Sequence, residues 1–584
     1  MAAGKRARRF YVPLAYLVLA LFFTWPVIIR PFQHVISEYI DIMTAFYNFW
    51  WFHQAVCEVH ASPWTNTLID YPYGFSMALF PMWIPYDILG LPFVEFLGPG
   101  NGLPAAFNFV TIVSFVASGV AGYLLVKYLT GKPWASFVAG LALAAAPYRF
   151  WNLTRMHVSC LELLAFLIYF FLRTVREDGK KPAIGFVITA TLLCYTSPPY
   201  TADMVIALAL AFVFMAFTER DRVLSGKVIK RLAISSAAVV VLCSPFLIRV
   251  GTEMIESPEP ALQPEELRIK YSANLAGFVT PGFNLTAYSP FVAEKDEVMG
   301  EIPREHGIMG YEVFAGYVVL VLAGVGIFMR WKKSRLFVLL FFVFALMSLG
   351  PDLHAGGDTI KLSMPYEWLR AVLPWLRFER APVRHFGPAY VALVALVGIG
   401  LGALSEKIRG GKGKALIAAA GVLIAMEFMQ APLDLDRFPL PGFVGKMQED
   451  PKPGSVLDLP QVPDIQRIAG WYHMHHWRPL VFQLTTRGDD PEHQETAIYR
   501  AFHDPSIWLH LSGKEYWLTL TDLRQELGFR DVRYIVVYPR FMDEEDLAGL
   551  RKLIPELGPD EKLVDNDKYI VYRFSEYSED MEEK

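Results

Sequence analysis

Charge is what this sequence has least of for its size. Only 19% of its 584 residues are Asp, Glu, Lys or Arg, while 54% are hydrophobic. A soluble enzyme of this length would carry more charge, so a soluble chain is excluded. Cysteine is scarce as well: Cys57, Cys160, Cys194 and Cys243 lie far apart with no CxxC. Neither a zinc cluster nor a disulfide framework is therefore indicated. No P-loop, GxSxG or nucleotide fingerprint occurs, which leaves a nucleotide-linked donor without a recognisable seat. A net charge of −4 gives no case for a nucleic-acid partner. No internal repeat is visible, and paired halves are what a transporter usually shows.

What the chain does have is long apolar runs and 14% aromatic residues, the composition of a polytopic membrane protein with many bilayer-interface positions. Eleven spans are expected, at 10–30, 104–127, 133–150, 157–174, 183–199, 201–218, 232–250, 310–330, 335–350, 386–405 and 414–431. The first is read as an uncleaved anchor, because it is long, ends in Ile28-Ile29-Arg30 and lacks a small-residue cleavage site. Lys5, Arg6, Arg8 and Arg9 form its cytoplasmic flank. With the N-terminus inside, the inward loops are 128–132, 175–182, 219–231, 331–334 and 406–413. Each is short and basic in itself or at its edges, from Lys127 and Lys132 to Lys412 and Lys414. The positive-inside rule thus supports a multi-pass inner (plasma) membrane protein with its N-terminus in and its C-terminus out.

Three long pieces then fall outside: 31–103, 251–309 and 351–385. Residues 74–97 are apolar but hold Pro81, Pro85 and Pro92 with Asp87 and Glu95. Prolines at that density break a spanning helix, so helices lying in or dipping into the outer interface are expected there. "PYEWLRAVLPWLRFERAPVRH" reads as an interfacial or re-entrant helix. The bundle with its loops takes up 1–435, and 440–584 reads as a small α/β extracytoplasmic domain. In that tail, β-like runs at 455–460, 478–484 and 532–539 alternate with helix-like 520–529 and 543–554, before a hairpin turning at Asp565-Asn566-Asp567.

The stretch "SEYIDIMTAFYNFWWFH" (37–53) follows the first span directly. As a helix it puts Glu38, Asp41, Ala45 and Asn48 on one face, and Ile42, Phe46, Phe49, Trp50 and His53 on another. Two acids at an outer membrane surface either cap the helix or serve chemistry. Tyr195 to Tyr200 form an outer turn, with Asp203 just inside the next span, where a functional acid and an N-cap network are equally good readings. His473, His475 and His476 have a spacing that suits no common zinc template and are expected on a polar rim of the tail. Asn152-Leu153-Thr154 and Asn284-Leu285-Thr286 are chance sequons.

The acid on a juxtamembrane helix after an inward-starting span, followed by "LIDYPYGFSMALFPMW", resembles the GT-C superfamily of integral membrane glycosyltransferases. "DIMTAFYNFWWFHQAV", "AAAPYRFWNLTRMH" and "RFERAPVRHFGPAYVALVAL" resemble, more narrowly, a bacterial subgroup that adds an outer C-terminal domain. The resemblance implies transfer of a sugar from a polyprenyl-phosphate-linked donor to an unknown acceptor (glycan, lipid or protein) at the outer face, with inversion. Asp41, with Glu38, would deprotonate or orient the acceptor. Arg149 and Arg155, or Arg377, Arg380 and Arg384, would hold the donor phosphate. Asn48, His53 and Tyr200 are substrate-groove candidates, and a divalent cation, Mg or Mn, is a candidate near Asp41. Where that superfamily often carries adjacent or closely spaced acids, this chain has E-x-x-D. The competing readings are a polytopic lipid or glycan transporter (a flippase) and a non-catalytic envelope-assembly protein. Each outer arginine could equally snorkel to membrane lipid headgroups.

Overall fold

A helix that is apolar on every side must be surrounded by others. In the computed structural model this position belongs to Phe386–Lys407, in which every residue from Phe386 to Ala403 is buried. The structure describes residues 2–36, 41–80, 82–256, 264–282, 284–288, 313–356, 358–408, 410–482, 498, 502 and 520–575. The bundle begins with α1 (Ala2–Phe23), α2 (Ile42–His53), α3 (Ile84–Thr130) and α4 (Pro133–Ala144). Against the central helix pack α3, α4 and the helices Tyr317–Met329 and Trp331–Ser348. Small residues set the closest crossing. A Cβ on Gly326 would lie 2.4 Å from Leu396 O, and one on Gly400 would lie 2.2 Å from Leu322 O, so only glycine lets these two backbones approach.

Among the described residues, five helices are long and apolar enough to cross a membrane: 84–130, 156–176, 198–218, 226–255 and 382–407. Other expected spans fall on shorter pieces, including 133–144, 180–196, 317–329, 331–348 and 411–427. The proline-rich 84–97 segment does not run straight on into the bundle. α3 breaks at Gly98 (φ 68°, ψ 174°), and the arm before the break folds back on the helix after it. A Cβ on Gly102 would lie 2.4 Å from Phe93 O, and the Phe93 and Phe109 rings are 4.9 Å apart.

The bundle has two chemically distinct ends, separated by the central helix, about 33 Å long at 1.5 Å per residue over its 22 residues. At one end the basic loops meet acids. Glu406 pairs with Lys132 (3.4 Å) and with Arg330, Arg176 with Glu219 (2.6 Å), Arg173 with Glu177 (2.7 Å) and Arg231 with Asp178 (3.3 Å). Arg384 and the residues around Asp41 lie at the other.

The C-terminal part is built on a four-stranded sheet. Six short strands precede it in the chain: β1 (Val35–Ile36), β2 (Thr65–Asn66), β3 (Phe75–Ser76), β4 (Leu353–Ala355), β5 (Asp358–Ile360) and β6 (Leu435–Asp436) form three small ladders, β1 with β6, β2 with β3 and β4 with β5. The sheet itself has β7 (Ser455–Leu459), β8 (Val532–Val537), β9 (Glu561–Asp565) and β10 (Ile570–Arg573) in the order β7-β8-β10-β9, with only the β7–β8 pair parallel. Both β7 and β8 are buried throughout, as strands covered on both faces are. Of the run at 478–484, Leu480 makes only an isolated bridge to Val456, and 483–484 lie outside the described residues.

This part sits on the 31–103 segment. Tyr71 N donates to Leu480 O (3.0 Å), Leu480 N donates to Leu68 O (2.8 Å), and the Arg530 guanidinium donates to Tyr71 O (3.1 Å). The helix Pro463–His476 lies against α2, and here the expected polar rim is corrected. His473, His475 and His476 are buried. His473 packs its ring against Trp50 (4.8 Å between centroids) and Tyr47 (5.9 Å), and its Nδ1–H donates to Arg478 O (2.7 Å). The aromatic face of α2, far away in sequence, covers His473, while His475 packs on Trp471 and His476 on His473.

Candidate functional site

Asp41 stands at the N-terminal edge of α2 with helical backbone (φ −59°, ψ −20°), and its side chain makes no cap hydrogen bond. The capping role is therefore not what its carboxylate does. Arg155 Nη2 donates to Oδ2 at 3.1 Å, and Arg467 Nη2 lies 3.1 Å from Oδ1. The three side chains are 26%, 29% and 30% exposed, respectively. At that exposure ion pairs alone contribute little to stability, about 0–1 kcal/mol each. The arrangement is better understood as one carboxylate held at both oxygens.

Arg155 gets its position from a break in the chain. The short helix Pro147–Trp151 stops at Asn152, whose Nδ2 donates to Tyr148 O (2.9 Å) and whose Oδ1 accepts from Arg155 Nη1 (3.3 Å). Tyr148 and Tyr200 hydroxyls lie 3.0 Å apart. Tyr148 donates to Arg384 O (3.2 Å) and Tyr200 to Val158 O (2.8 Å). These two phenols tie the Arg155 turn to the segment bearing Arg384. Arg384 is close enough to interact electrostatically with both Arg155 and Arg380. Arg380 Nη2 donates to Tyr271 OH (3.0 Å), with its guanidinium carbon 4.9 Å from the ring centroid. Burial alone would raise the Tyr271 phenol, but the Arg380 hydrogen bond, with Arg380, Lys270 and Arg155 as neighbouring charges, brings it below its ordinary value. Arg155 and Arg467 thus hold Asp41, Arg467 also lies 3.7 Å from Asp464, and Arg384, with Arg380, Arg155 and Glu379 as charged neighbours, stands next to Arg155. Crowded guanidiniums repel one another, and a multiply charged oxyanion relieves that repulsion with charge-assisted hydrogen bonds.

A second network holds the segment from below. His385 Nδ1 lies 2.7 Å from Asp203 Oδ1, and His385 Nε2 lies 2.8 Å from Glu379 Oε2. Tyr366 OH donates to the same Glu379 oxygen (3.3 Å). Both partners of the His385–Asp203 pair are buried. Asp203 is therefore an ion-pair partner across helices. The cap of its own helix is Ser197, whose side chain accepts from Tyr200 N.

The remaining candidates separate from the cluster. Arg149 is 1% exposed; its guanidinium donates to Thr111 O (3.2 Å) and Ala144 O (3.3 Å) and stacks 5.3 Å from the Phe115 ring, so it is a bundle-core residue out of a headgroup's reach. Asn48 and Tyr200 are buried. His53 lies 12 residues beyond Asp41 on α2, about 18 Å away at 1.5 Å per residue, and its Nε2 is 2.6 Å from Glu95 Oε2. Arg377 is exposed. Glu38 lies outside the described residues.

A divalent cation at Asp41 does not fit the residues described. Both carboxylate oxygens face guanidiniums, and no group of three His, Cys, Asp or Glu side chains gathers there. The group that does occur among the described residues is His53, Cys57 and Glu95, at the opposite end of α2. Sequence reasoning missed Arg467, Tyr271, Glu379 and His385. The last two stand inside the quoted "FERAPVRHF" and could have been found there. Arg467 and Tyr271 carry no local signal.

The family described as "Domain of unknown function (DUF6311)" matches residues 12–429. No curated protein matches the chain. Among solved structures, the oligosaccharyltransferase of Archaeoglobus fulgidus in its apo form is similar, with a TM-score of 0.50 at 13% sequence identity, covering 90% of this chain and 70% of that one. That likeness is one of fold alone.

Proposed function

From a chain that belongs to the DUF6311 family and is similar in fold to the archaeal oligosaccharyltransferase, we propose a membrane glycosyltransferase of the GT-C type that uses a polyprenyl-phosphate-linked sugar at the outer face of a bacterial inner membrane. In this reading the acid-matched basic end is cytoplasmic, the eleven apolar runs span, and 440–584 form an extracytoplasmic α/β domain. The observation that carries it is the carboxylate of Asp41 held by Arg155 and Arg467, with Arg384 and Arg380 as the next charges beyond Arg155. Inverting transfer needs this pairing of groups. A carboxylate takes the proton of the acceptor hydroxyl as its oxygen attacks the anomeric carbon. The bond from that carbon to the phosphate oxygen breaks, and the departing phosphate keeps the electron pair. Guanidiniums placed where that charge develops stabilise it.

Asp41 is the base or acceptor-orienting group, and Arg155, Arg380 and Arg384 hold the donor phosphate. For the carboxylate to accept a proton, one of its two guanidiniums must give way to the acceptor. Bidentate guanidinium geometry is what lysine cannot reproduce. With purified polyprenyl-phosphate sugar, the double variant Arg380→Lys, Arg384→Lys should lose about 10-fold or more in kcat/KM, the scale of one to two lost charge-assisted bonds. If these arginines only snorkel to lipid, lysine will serve as well, and unchanged transfer would remove them from the donor site.

A further inference from the structure

Arg467 does not belong to the bundle. It lies in the C-terminal part, on the Pro463–His476 helix, and beyond residue 429, where the family match ends. Even so it supplies half of the clamp on Asp41. We propose that Arg467 is a positioning residue for Asp41, so that the C-terminal part completes the transfer site instead of merely decorating it. This rests on the reading of Asp41 given above.

The geometry that supports it runs along two helices lying side by side. Arg467 meets Asp41; Trp471, one turn on, meets Phe46 (5.5 Å between centroids); His473 meets Tyr47 and Trp50; and Trp477 meets Trp50 (6.1 Å). The contacts advance together along both chains, so the helices are parallel and their register is set by aromatic packing. The far end of the Pro463–His476 helix is anchored as well. Trp477 closes it in the left-handed region (φ 63°), and the Arg478 guanidinium donates to the carbonyls of Met447, Lys452 and Asp450. Arg467 is therefore delivered by a docked, ordered element and is not a loosely placed surface arginine.

An aspartate about a quarter exposed has several rotamers of similar energy. Arg155 alone leaves Oδ1 unheld and the carboxylate able to rotate about χ2. The second guanidinium, on the other oxygen, fixes both torsions. A displacement of about 1 Å in a reacting group can cost about 10²-fold in rate. The cost should appear in turnover and not in donor binding, because the donor phosphate contacts are placed on the bundle arginines.

The test uses the purified full-length protein, a polyprenyl-phosphate sugar and an acceptor that supports transfer. Arg467→Ala should lower kcat by about 10-fold to 10²-fold with donor KM unchanged. Arg467→Lys should recover part of the loss, since an ammonium can restore the ion pair. In a background of Asp41→Asn, Arg467→Ala should add nothing, because a residue that acts through another is silent once that other is gone. If Arg467→Ala fails to accumulate, Arg467→Gln carries the same three comparisons. Wild-type kcat in Arg467→Ala overturns the inference, as does a loss of equal size with and without Asp41, which would mark a purely structural arginine. If Asp41→Asn itself transfers normally, the functional reading fails first, and this inference falls with it. An inactive Asp41→Asn beside a fully active Arg467→Ala sinks this inference alone.

Discussion

The two ends of the bundle use arginine in opposite ways. At the end with the basic loops, five cations stand in separate pairs with acids: Arg176 with Glu219, Arg173 with Glu177, Arg231 with Asp178, and Lys132 and Arg330 with Glu406. At the other end, Arg155 and Arg467 share the carboxylate of Asp41, Arg467 also lies 3.7 Å from Asp464, and Arg384 has Arg155, Arg380 and Glu379 as charged neighbours. Matched pairs satisfy themselves and need nothing further. What a donor phosphate needs is several guanidiniums close enough to act on it together, and it is that grouping of Arg155, Arg380 and Arg384, in contrast to the separate pairs of the other end, that argues for the phosphate here.

The comparison can be tested through the element that carries Arg467. Burial lowers the His473 imidazole from 6.5 to about 4, because the folded state disfavours its charged form. The unfolded chain then binds the proton first, so stability is lost as pH falls from about 6.5 to about 4 and changes no further below that. At 1.36 kcal/mol per pH unit of displaced titration, the loss from this one group reaches at most about 3 kcal/mol. Asp458, raised by burial to about 7, acts in the reverse sense over an overlapping range. The informative quantity is therefore the difference between wild type and His473→Gln in thermal unfolding at pH 7 and pH 5. We expect wild type to lose more stability than the variant on going to pH 5, and equal losses would deny that His473 titrates on unfolding.

A much smaller effect is expected at the matched end. Arg176→Gln removes a pair whose partners are each about a quarter exposed. It should shift stability by about 0.5 kcal/mol or less and leave sugar transfer unchanged. A transfer defect there would break the contrast between the two ends.

Much of this was legible in the sequence. Asp41 stood out by position after the first span, and Arg380 and Arg384 by their place between a Trp-rich segment and an apolar helix. Of Arg149 and Arg155, which flank the same span end, only Arg155 reaches the site. The chain break at Asn152 that turns one inward to the core and the other toward Asp41 is not a feature of hydropathy. Hydropathy also counts apolar runs and not helix lengths, so a run such as 133–150 hides the division into Pro133–Ala144 and Pro147–Trp151. The three histidines were misjudged because their spacing says nothing about Tyr47 and Trp50, the distant rings that cover His473. Arg467 was invisible for the same reason: a lone arginine on an amphipathic helix is ordinary until tertiary packing sets it against a carboxylate.

The central claim is that Asp41 works on the acceptor and is not a structural charge. Asp41→Asn keeps the shape and removes the basicity, so it should express and unfold near the wild-type temperature. Sugar transfer from a purified polyprenyl-phosphate donor should fall about 10²-fold or more, the usual scale for a lost acid–base group. Transfer by the purified Asp41→Asn protein at the wild-type rate would contradict the account and leave Asp41 as no more than an anchor for two arginines.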